Sequence, residues 1–511
     1  MEIRIQPLEV QLGVALLGAL AALALLAIRL LPAQRATARV QRALDAVFAA
    51  LAAAGGIGFC VLSAHPQHFV KTWDVQHTWF GARYAPELGY FRLYACLLAL
   101  DAQGAGLLRG IDAASDLRRP TGTLPRAELL RDSGCEARFD PERRRRFLAD
   151  LAFFHALPQQ PNLPRWFADN GYNQTPAFTA LVAPLFERLP LRYGTLLGFT
   201  LVDPLLIAAA LLFAWRSFGA HVALVAATVF FTEVPNQWNV MGGSILRYGY
   251  VCFAIFGACA LARGRARAAG AAFGVAALLQ IFPAVWPGAL ALQAALRRLR
   301  GEPWPAWLPG LLTGFAASVA AGAAVSLAVV GAHAWPEFFA KMGLHGQILS
   351  LYRIGIKACV LLDHFLTPAP DYDYAAAVAA LAARWPLHAA AAALVALGAL
   401  SLARRVGPLG FGASALAAVL FVLTPVHYYF SVLVLLLLVD PAEAERPAWA
   451  ATAAALLLWS VAGYAGLLAT GSRAFVNSAV LSPGLFAVLA VHVAVRHVWR
   501  CNHQGDGPLA G

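Results

Sequence analysis

The sequence predicts an all-α polytopic membrane protein with about 11–13 transmembrane helices and a large first outer loop. The chain of 511 residues is 60% hydrophobic and 13% charged, whereas a soluble domain carries roughly 25% charged residues. Its mean hydropathy of +0.64 is consistent with long apolar helices. The arginines cluster in short gaps between apolar runs, which is the positive-inside pattern. The net charge of +12 therefore indicates membrane topology and not nucleic-acid binding.

The first two apolar runs set the predicted orientation. Residues 12–31 are followed by Arg35, Arg39 and Arg42, whereas a secretory signal carries its positive charge before the apolar segment. We therefore expect a retained helix with these arginines inside. The second span, residues 45–64, then runs outward and brings the chain to the outer side, which for a bacterial inner membrane is the periplasm.

Further candidate spans follow the same charge rule. They lie near residues 193–215, 219–235, 248–263, 268–284, 285–297, 306–331, 387–403, 409–426, 427–440, 448–468 and 481–498. Alternating them from the outward second span places the remaining arginine clusters inside, including Arg263, Arg404 and Arg500. The spans 268–284 and 285–297 are too short to cross ~30 Å of hydrocarbon as straight helices. Because Pro283 and Pro287 divide them, we expect a broken or re-entrant pair near the outer face.

Two long outer loops divide the predicted chain into five parts. These are N-terminal helices (1–64), a periplasmic loop domain (65–192), a helical bundle (193–331), a second periplasmic loop (332–386), and C-terminal helices with a short cytoplasmic tail (387–511). In the first loop, Asp140 as N-cap and Pro141 at the first position predict a helix. This helix either lies on the membrane surface or is a solvated charge run. Cys96 and Cys135 share this loop, and their spacing leaves a disulfide open.

The stretch HFVKTWDVQHTWFGARYAPELGYFRLY, residues 68–94, follows the second span directly. Its aromatic residues favour the bilayer–water interface, and charged groups at that depth are costly unless paired or used. The combination indicates a site for an anionic, partly lipidic substrate. Asp74 lies just past the membrane exit and suits a general base that takes a proton from an acceptor hydroxyl. The alternative is a salt bridge from Asp74 to Lys71 or Arg83, and Glu87 is interpreted as structural.

Other polar groups are expected at the same outer face. Besides Asp74, the candidate substrate-binding residues are His77, Arg83, Arg92, Asp169, Asn173, Arg247, Arg353, Lys357 and His427. Cations among them can stabilise a departing phosphate, although a lone cation at a helix end is also a common snorkelling anchor. The glycine pair before Ser244 allows a close backbone approach. The sequence contains no phosphate-loop, nucleophile-elbow or zinc-protease motif, and no clustered acids demand a metal.

Six segments of the chain, taken in order, resemble a known family. They are WDVQHTWFGARYAPELGYFRLY, ADNGYNQTPAFTALVAPL, GGSILRYGY, ALLQIFPAVW, YRIGIK and HYYFSVLVLLLL, spread over residues 70–440. In this order they resemble the GT-C glycosyltransferases, polytopic enzymes that use polyprenyl-phosphate-linked sugars. More specifically, the chain is similar to bacterial members related to the polyprenol-phosphate-mannose-dependent mannosyltransferases, glycosyltransferase family 87.

The resemblance implies roles for several residues. The family's first-loop acid acts as the catalytic base, and its counterpart here is Asp74. Basic residues at the outer ends of later helices hold the lipid phosphate, and their counterparts are Arg247, Arg353, Lys357 and His427. The resemblance also implies a mannose-like donor on a polyprenyl phosphate, a glycan or lipid acceptor, and no metal or other cofactor. The chain departs from the family at Gln280, where a Lys commonly precedes the Pro motif, and by an apparent extra span before the catalytic loop.

Two other functional classes stay open. A transporter or lipid-linked sugar flippase commonly contains paired broken helices and a binding site near the membrane midplane. The segment LQIFPAVWP has no second partner in the sequence, and Asp203 in the third span is either a buried relay or a polar packing group. The third class is a non-catalytic assembly subunit with the same architecture.

Overall fold

The computed structural model describes residues 7–31, 38–62, 69–131, 133–157, 163–366 and 373–499. Helices form most of this part, and its strands are the short antiparallel pair β1 (Ala113–Ser115) and β2 (Thr123–Pro125). The predicted all-α class is therefore confirmed. His68, Arg35 and Arg500, which the predicted site stretch and the charge rule include, lie outside the described residues.

The chain begins with two long helices, and a region of shorter helices follows. In order they are α1 (Pro7–Leu30), α2 (Ala38–Ile57) continued by a π-helical turn (Gly58–Leu62), α3 (Thr72–Arg83), α4 (Ala85–Leu88), α5 (Leu93–Ala102), α6 (Arg126–Arg131), a 3-10 turn (Glu136–Arg138), α7 (Pro141–His155), α8 (Leu163–Phe167) and α9 (Pro176–Arg188). Helices α7 and α9 pack against α3. The predicted first outer loop is thus a set of short helices packed around α3.

The rest of the chain alternates long helices with short or irregular ones. In order they are α10 (Tyr193–Thr232), a 3-10 turn (Val234–Asn236), α11 (Gly249–Ala262), α12 (Ala266–Leu279), a 3-10 turn (Phe282–Ala284), α13 (Val285–Arg298), α14 (Trp307–Val330), α15 (Ala334–Gln347), α16 (Ile356–Val360), α17 (Leu362–Phe365), α18 (Tyr374–Ala383), α19 (Trp385–Ser401), a 3-10 turn (Leu402–Arg404), α20 (Pro408–Leu423), a 3-10 helix (His427–Leu437), α21 (Pro441–Ala444), α22 (Pro447–Thr470), α23 (Arg473–Phe475), a π-helical turn (Val476–Leu481) and α24 (Ser482–Val498).

Seven segments of the described chain are long and apolar enough to cross a membrane. They are Leu8–Leu30, Ala38–Cys60, Tyr193–Thr232, Trp307–Val330, Trp385–Arg404, Pro447–Thr470 and Arg473–Val498. The 40-residue segment Tyr193–Thr232 is interrupted at Gly219, whose φ of 84° lies outside the helical region. The segment therefore consists of two helices, in agreement with the separate predicted spans 193–215 and 219–235. Shorter apolar helices such as α11 and α20 accompany them. The chain is an all-α membrane protein, and the count of 11–13 spans stays a prediction.

One of the predicted spans, the run near 427–440, differs from the prediction in its type of helix. The run near 427–440 is a 3-10 helix of eleven residues, which at a rise of about 2 Å per residue spans roughly 22 Å. Hydropathy reports apolarity and not the hydrogen-bond pattern, so the sequence did not reveal this.

The predicted break at LQIFPAVWP is confirmed, because α12 and α13 are separate 14-residue helices. Pro283 marks the break, whereas Pro287 lies in the first turn of α13, where its missing N–H has no intrahelical acceptor to lose.

Ion pairs join helix ends that the charge rule predicts to be inside. They are Arg29–Glu445, Arg496–Glu443 and His221–Asp45. Asp45 lies in the first half of α2, and His221 lies just after the interruption in α10. From these positions α2 and α10 lead to Asp74 and Arg247, which follow the opposite ends of the two helices. The ion pairs and the candidate site therefore occupy opposite ends of the bundle.

The loop helix predicted from its capping residues is confirmed as α7. The Asp140 side chain accepts a hydrogen bond from the backbone N–H of Arg143 at 2.8 Å. On the apolar face of α7, the Phe147 ring lies 4.9 Å from the Phe80 ring of α3, measured between centroids. Protein and not membrane covers this face, so the membrane-surface interpretation does not hold. Arg145 is exposed, as expected for a solvated charge run.

Cys96 and Cys135 form a disulfide, a pairing that the sequence left open. Their Cα atoms are 5.3 Å apart, and the two residues are separated by 39 positions in the sequence. The bond ties α5 to the segment that precedes α7. It therefore stabilises the short-helix region that surrounds α3.

Candidate functional site

The site centres on a buried ion pair between Asp74 and Arg247. The Asp74 Oδ2 atom, in the first turn of α3, accepts hydrogen bonds from Arg247 Nε at 2.8 Å and from Arg247 Nη2. The structure replaces the predicted alternative of a salt bridge to Lys71 or Arg83, because the hydrogen-bonded partner is Arg247. Burial favours a raised pKa for Asp74, but the charges of Arg247 and Lys71 outweigh it and hold the pKa below its usual value.

Asp203 positions the backbone that carries Arg247. Its carboxylate, which is fully buried, accepts the backbone N–H of Arg247 at 2.9 Å and that of Tyr248 at 3.1 Å. These N–H groups lie just before α11, and the preceding Leu246 has a positive φ of 53°, a conformation that a branched side chain adopts only when its surroundings hold it there. Asp203 is therefore a cap for the turn before α11, which answers the question left by the sequence.

Lys71 approaches the same ion pair from the turn before α3. Its Nζ donates to the carbonyl oxygen of Val240 at 2.6 Å and lies 4.7 Å from the ring centre of Trp73. Its backbone N–H donates to the Gly243 carbonyl at 2.6 Å. A Cβ atom on Gly243 would lie 2.7 Å from the carbonyl oxygen of Phe69, so the expected close backbone approach at the glycine pair is confirmed. Burial lowers the pKa of Lys71 to about 8.

Arg353 and Lys357 lie where the segment after α15 meets the end of α20. Arg353 is 7% exposed, and its Nη groups donate to the carbonyl oxygens of Thr424 at 3.1 Å and His345 at 2.7 Å. Its Nε is buried and has no hydrogen-bond partner within the described chain. Lys357 Nζ donates to the carbonyl oxygen of Gly346 at 2.9 Å. Neither cation pairs with a carboxylate of the described residues, so an anion would complete this part of the site.

His427 and Arg473 add two groups with open hydrogen-bonding positions. His427 Nδ1 donates to the Tyr352 carbonyl at 2.8 Å, which leaves Nε2 as a buried acceptor that no described residue meets. Arg473 begins α23, and its Nη1 is buried with no acceptor in the described part of the chain. Sequence reasoning missed Arg473 as a site residue, and it treated Lys71 only as a possible partner of Asp74. Arg473 follows the predicted span 448–468, so the outer-end rule that selected His427 would have found it.

Tyrosine rings cover the Asp74–Arg247 ion pair. The Arg247 guanidinium carbon lies 5.4 Å from the ring centre of Tyr428, and the ring centres of Tyr428 and Tyr429 are 4.7 Å apart. A third ring, that of Tyr250, lies 6.0 Å from Tyr429. Rings over a guanidinium add a cation–π attraction, and by excluding water they strengthen the charge interactions between nearby groups.

His77, Asp169 and Asn173 form a second wall of the site. His77 lies three residues after Asp74 in α3, so both side chains face the same way. The His77 Nδ1 atom lies 3.9 Å from Asp169 Oδ2. Burial lowers the pKa of His77, and the charges of Asp169 and Asp74 oppose this shift without reversing it. The Asn173 amide lies 2.9 Å from Nε2 of His345.

Two of the predicted binding residues do not join this group. Arg83 lies nine residues after Asp74 in α3, which corresponds to about 13 Å along the helix. Its Nη1 donates to Asp150 at 2.8 Å, and Asp150 also accepts from Trp79 and Tyr84. Arg92 precedes α5, where burial and the charge of Arg138 lower its pKa. The structure thus places Arg83 within the packing of the short-helix region.

Glu87 takes part in the same packing, as the sequence suggested. Its carboxylate accepts from Arg143 Nε at 2.7 Å, and Arg143 also pairs with Glu187. No group of three or more His, Cys, Asp or Glu side chains in the described ranges is placed to hold a metal ion. The site therefore presents one carboxylate paired with an arginine, a second carboxylate beside an imidazole, and several cations.

Comparison with known proteins adds no assignment to this geometry. No protein-family model matches the chain, and neither a curated protein nor a solved structure matches it. A functional proposal therefore rests on the arrangement of the side chains and on the sequence resemblance described above.

Proposed function

We propose that the chain is a GT-C-type glycosyltransferase that moves a mannose-like sugar from a polyprenyl-phosphate donor to an acceptor on the periplasmic side. The observation that carries the proposal is the set of buried cations at one end of the bundle. Within the described chain, Arg353 and Lys71 donate to backbone carbonyls, and Arg473 retains an N–H without an acceptor. Buried charges are costly unless paired, and a phosphate supplies both the negative charge and the acceptor oxygens that these groups need.

The ion pair with Arg247 gives Asp74 a role that depends on the donor. While Arg247 and Lys71 depress its pKa, Asp74 is a weak base. A donor phosphate that binds Arg247 neutralises that charge and raises the proton affinity of the carboxylate. Asp74 then takes the proton of the acceptor hydroxyl as its oxygen bonds to the anomeric carbon. The bond from that carbon to the phosphate oxygen breaks, and its electron pair stays on the lipid phosphate, which the cations stabilise.

The same proposal assigns the chain to the inner membrane of a bacterium, with 11–13 spans and the site facing the periplasm. The Cys96–Cys135 disulfide supports this orientation, because disulfides persist in the periplasm and are rare in the cytosol. The arginines that border α1 and α24 support it too, because they lie at the opposite end of the bundle from Asp74. Proton-coupled transport has weaker support, since Asp203 is occupied by two backbone N–H groups.

The test is binding and transfer by the full-length protein in lipid nanodiscs. Binding of polyprenyl phosphate is measured by native mass spectrometry. Transfer is measured by the movement of radiolabelled mannose from polyprenyl-phosphate mannose to an added acceptor, methyl α-mannoside. We expect Asp74→Asn to bind the lipid phosphate but to lose transfer by ~100-fold or more, and Arg353→Ala to weaken lipid-phosphate binding by about tenfold. Arg145→Ala, an exposed cation of α7, is the matched control and should change neither.

Two results would refute parts of this proposal separately. Near-normal transfer by Asp74→Asn would remove Asp74 as the base. Unchanged lipid-phosphate binding in both Arg353→Ala and Arg247→Ala would remove the phosphate site. Binding without transfer in the wild-type protein would instead favour a flippase or a non-catalytic subunit.

A further inference from the structure

The side chains of His77 and Asp169 face each other across a gap that is wide enough for a bound polar group. The His77 Nδ1 and Asp169 Oδ2 atoms are 3.9 Å apart, which is too far for a direct hydrogen bond. His77 is 4% exposed, whereas the Asp169 side chain is 39% exposed. The carboxylate therefore opens onto the site while the imidazole behind it is held by the fold.

The hydrogen bonds of Tyr94 fix the proton of His77. The Tyr94 hydroxyl donates to the Trp166 carbonyl at 2.9 Å and accepts the backbone N–H of Gly171 at 3.1 Å. Its proton is thus already used, so at the 3.0 Å contact with His77 Nε2 the imidazole must donate. Burial lowers the pKa of His77, which keeps the ring neutral. The Nδ1 atom that faces Asp169 consequently carries a lone pair.

Two hydrogen-bond acceptors face each other across this gap, so a group between them has to donate. A hydroxyl oxygen about 2.8 Å from each acceptor fits a separation of 3.9 Å, and a pair of neighbouring hydroxyls can satisfy both acceptors. An ammonium group also donates, but Lys71 and Lys341 lie close enough to interact with Asp169 and would repel a third cation. Asp169 in turn repels an anionic group. Neutral hydroxyls are the class that the gap accepts best.

Aromatic rings border the same gap. The Trp166 ring centre lies 4.9 Å from that of His77, and the Trp73 ring centre lies 6.4 Å from it. Trp73 is 42% exposed. A sugar ring combines hydroxyls at its edge with an apolar C–H face that packs on aromatic surfaces, so it matches both features of this wall.

We propose that Asp169 and His77 form the acceptor subsite and hold neighbouring hydroxyls of a neutral sugar. The inference rests on the proposed glycosyltransferase function and specifies its acceptor as a carbohydrate and not a lipid alcohol or an anionic group. Asp74 and Asp169 both lie close enough to Lys71 and His77 to influence their charges, so the two carboxylates border the same space. A sugar held by Asp169 therefore places a further hydroxyl beside Asp74. Asp169 and His77 act as positioning residues for that hydroxyl.

The test uses saturation-transfer-difference NMR on the full-length protein in lipid nanodiscs. The probes are methyl α-mannoside as a neutral sugar, methyl α-glucuronide with its free carboxylate as an anionic sugar, and isopropanol as a simple alcohol. We expect saturation of the neutral glycoside in the wild-type protein, and a several-fold loss in Asp169→Asn and His77→Gln. Glucuronate should gain relative to mannoside in Asp169→Asn, because the repelling charge is gone. Asp169 is partly exposed, so Asp169→Asn should fold and carries the test even where His77→Gln does not.

Equal saturation of methyl α-mannoside in the wild type and in Asp169→Asn would overturn the subsite, as would a wild-type preference for glucuronate or isopropanol. Lipid-phosphate binding, measured on the same samples, separates this outcome from failure of the proposed function. We expect Asp169→Asn to retain polyprenyl-phosphate binding. Arg353→Ala should weaken that binding about tenfold while still contacting the glycoside. If the wild type contacts the glycoside but binds no polyprenyl phosphate, the proposed donor is refuted and the sugar subsite stands.

Discussion

Asp74 and Arg247 lie 173 positions apart in the sequence and form a hydrogen-bonded ion pair between the short-helix region and the bundle. Asp74 is fixed by α3, which belongs to the short helices, and Arg247 is fixed by the turn between α10 and α11. Their side chains are only 8% and 15% exposed. Each residue therefore depends on the other for charge compensation. The pair connects the short-helix region to the bundle and is also a candidate reactive centre.

We expect the pair to be strongly coupled in stability. Arg247→Ala leaves the Asp74 carboxylate buried without its hydrogen-bonded partner, and the free energy of unfolding should fall by about 3 kcal/mol or more. The double variant Asp74→Asn/Arg247→Ala, which removes both charges, should lose less than the sum of the two single changes, Asp74→Asn and Arg247→Ala, with a coupling on the order of 1–3 kcal/mol. Unfolding by a denaturing detergent in mixed micelles measures the free energy of unfolding of the wild type, the single variants and the double variant.

The control for this prediction is a solvent-exposed salt bridge of the same protein. Arg146 and Glu142 of α7 pair at 2.7 Å, and both side chains are more than half exposed. Arg146→Ala should cost less than about 1 kcal/mol, because exposed pairs contribute little. Additive losses for Asp74 and Arg247, or equal losses for the buried and exposed pairs, would contradict the assignment.

Asp203 should affect the site through Arg247. Asp203→Ala leaves two buried backbone N–H groups without acceptors, so we expect a loss of about 2 kcal/mol or more in the free energy of unfolding. Binding of polyprenyl phosphate should weaken as well, because Arg247 loses its fixed position. Asp203→Asn keeps one acceptor oxygen and should show smaller changes in both quantities. Stability is measured as above and lipid-phosphate binding by native mass spectrometry.

A matched control for Asp203 lies one turn earlier in α10. Thr200 is also fully buried, but its hydroxyl bonds to carbonyl oxygens of its own helix, those of Leu196 and Leu197. Thr200→Val should leave lipid-phosphate binding unchanged. If Asp203→Ala and Thr200→Val weaken binding equally, Asp203 does not act through Arg247.

The long apolar helices could be predicted from the sequence because the signal for them is local. An apolar run of sufficient length predicts a span, and the arginines beside it predict which end is inside. Pro283 likewise marked a break, because proline restricts the backbone at its own position and lacks the N–H that a helix needs. The 3-10 helix at His427–Leu437 was not predictable, because its apolar side chains suit either type of helix.

The pairings within the site could not be read in the same way. The sequence selected both Asp74 and Arg247, but it gave them separate roles, since nothing in the spacing of distant residues reports their contact. The role of Asp203 depended on two backbone N–H groups about 45 positions away, which no side-chain pattern reveals. Arg83 was chosen for its charge, whereas its place opposite Asp150 is set by how α7 packs on α3.

Reduction of the Cys96–Cys135 disulfide should loosen the short-helix region around α3. The bond closes a loop between residues 39 positions apart, and loop-closure entropy for that length corresponds to about 4 kcal/mol. We expect the double variant Cys96→Ser/Cys135→Ser to unfold at a lower temperature, with a melting curve that no longer responds to reductant. Alkylation before and after reduction should show two additional reactive cysteines in the wild type. A wild-type melting temperature that reductant leaves unchanged would contradict a stabilising bond.

The buried His77 and the half-buried His345 should make stability depend on pH below about 6.5. Burial lowers the pKa of His345 from its usual 6.5 to about 3, and burial also lowers the pKa of His77. In the unfolded chain both rings take up a proton below their usual pKa. In the folded protein the lowered pKa keeps His345 neutral down to about pH 3, and protonation of His77 is disfavoured. The unfolded state therefore binds more protons, and the stability that is fully present above pH 6.5 is lost as the pH falls.

The slope of the free energy of unfolding against pH tests which histidines cause this loss of stability. Each histidine that stays neutral contributes about 1.4 kcal/mol per pH unit in this window. His345→Gln, which replaces the ring by a group that does not titrate, should reduce the slope by that amount relative to the wild type. Gln347→Ala, an exposed and uncharged position at the end of α15, should leave the slope unchanged. Unfolding in mixed micelles at several pH values measures it, and identical slopes for the two variants would show that the folded protein does not keep His345 neutral.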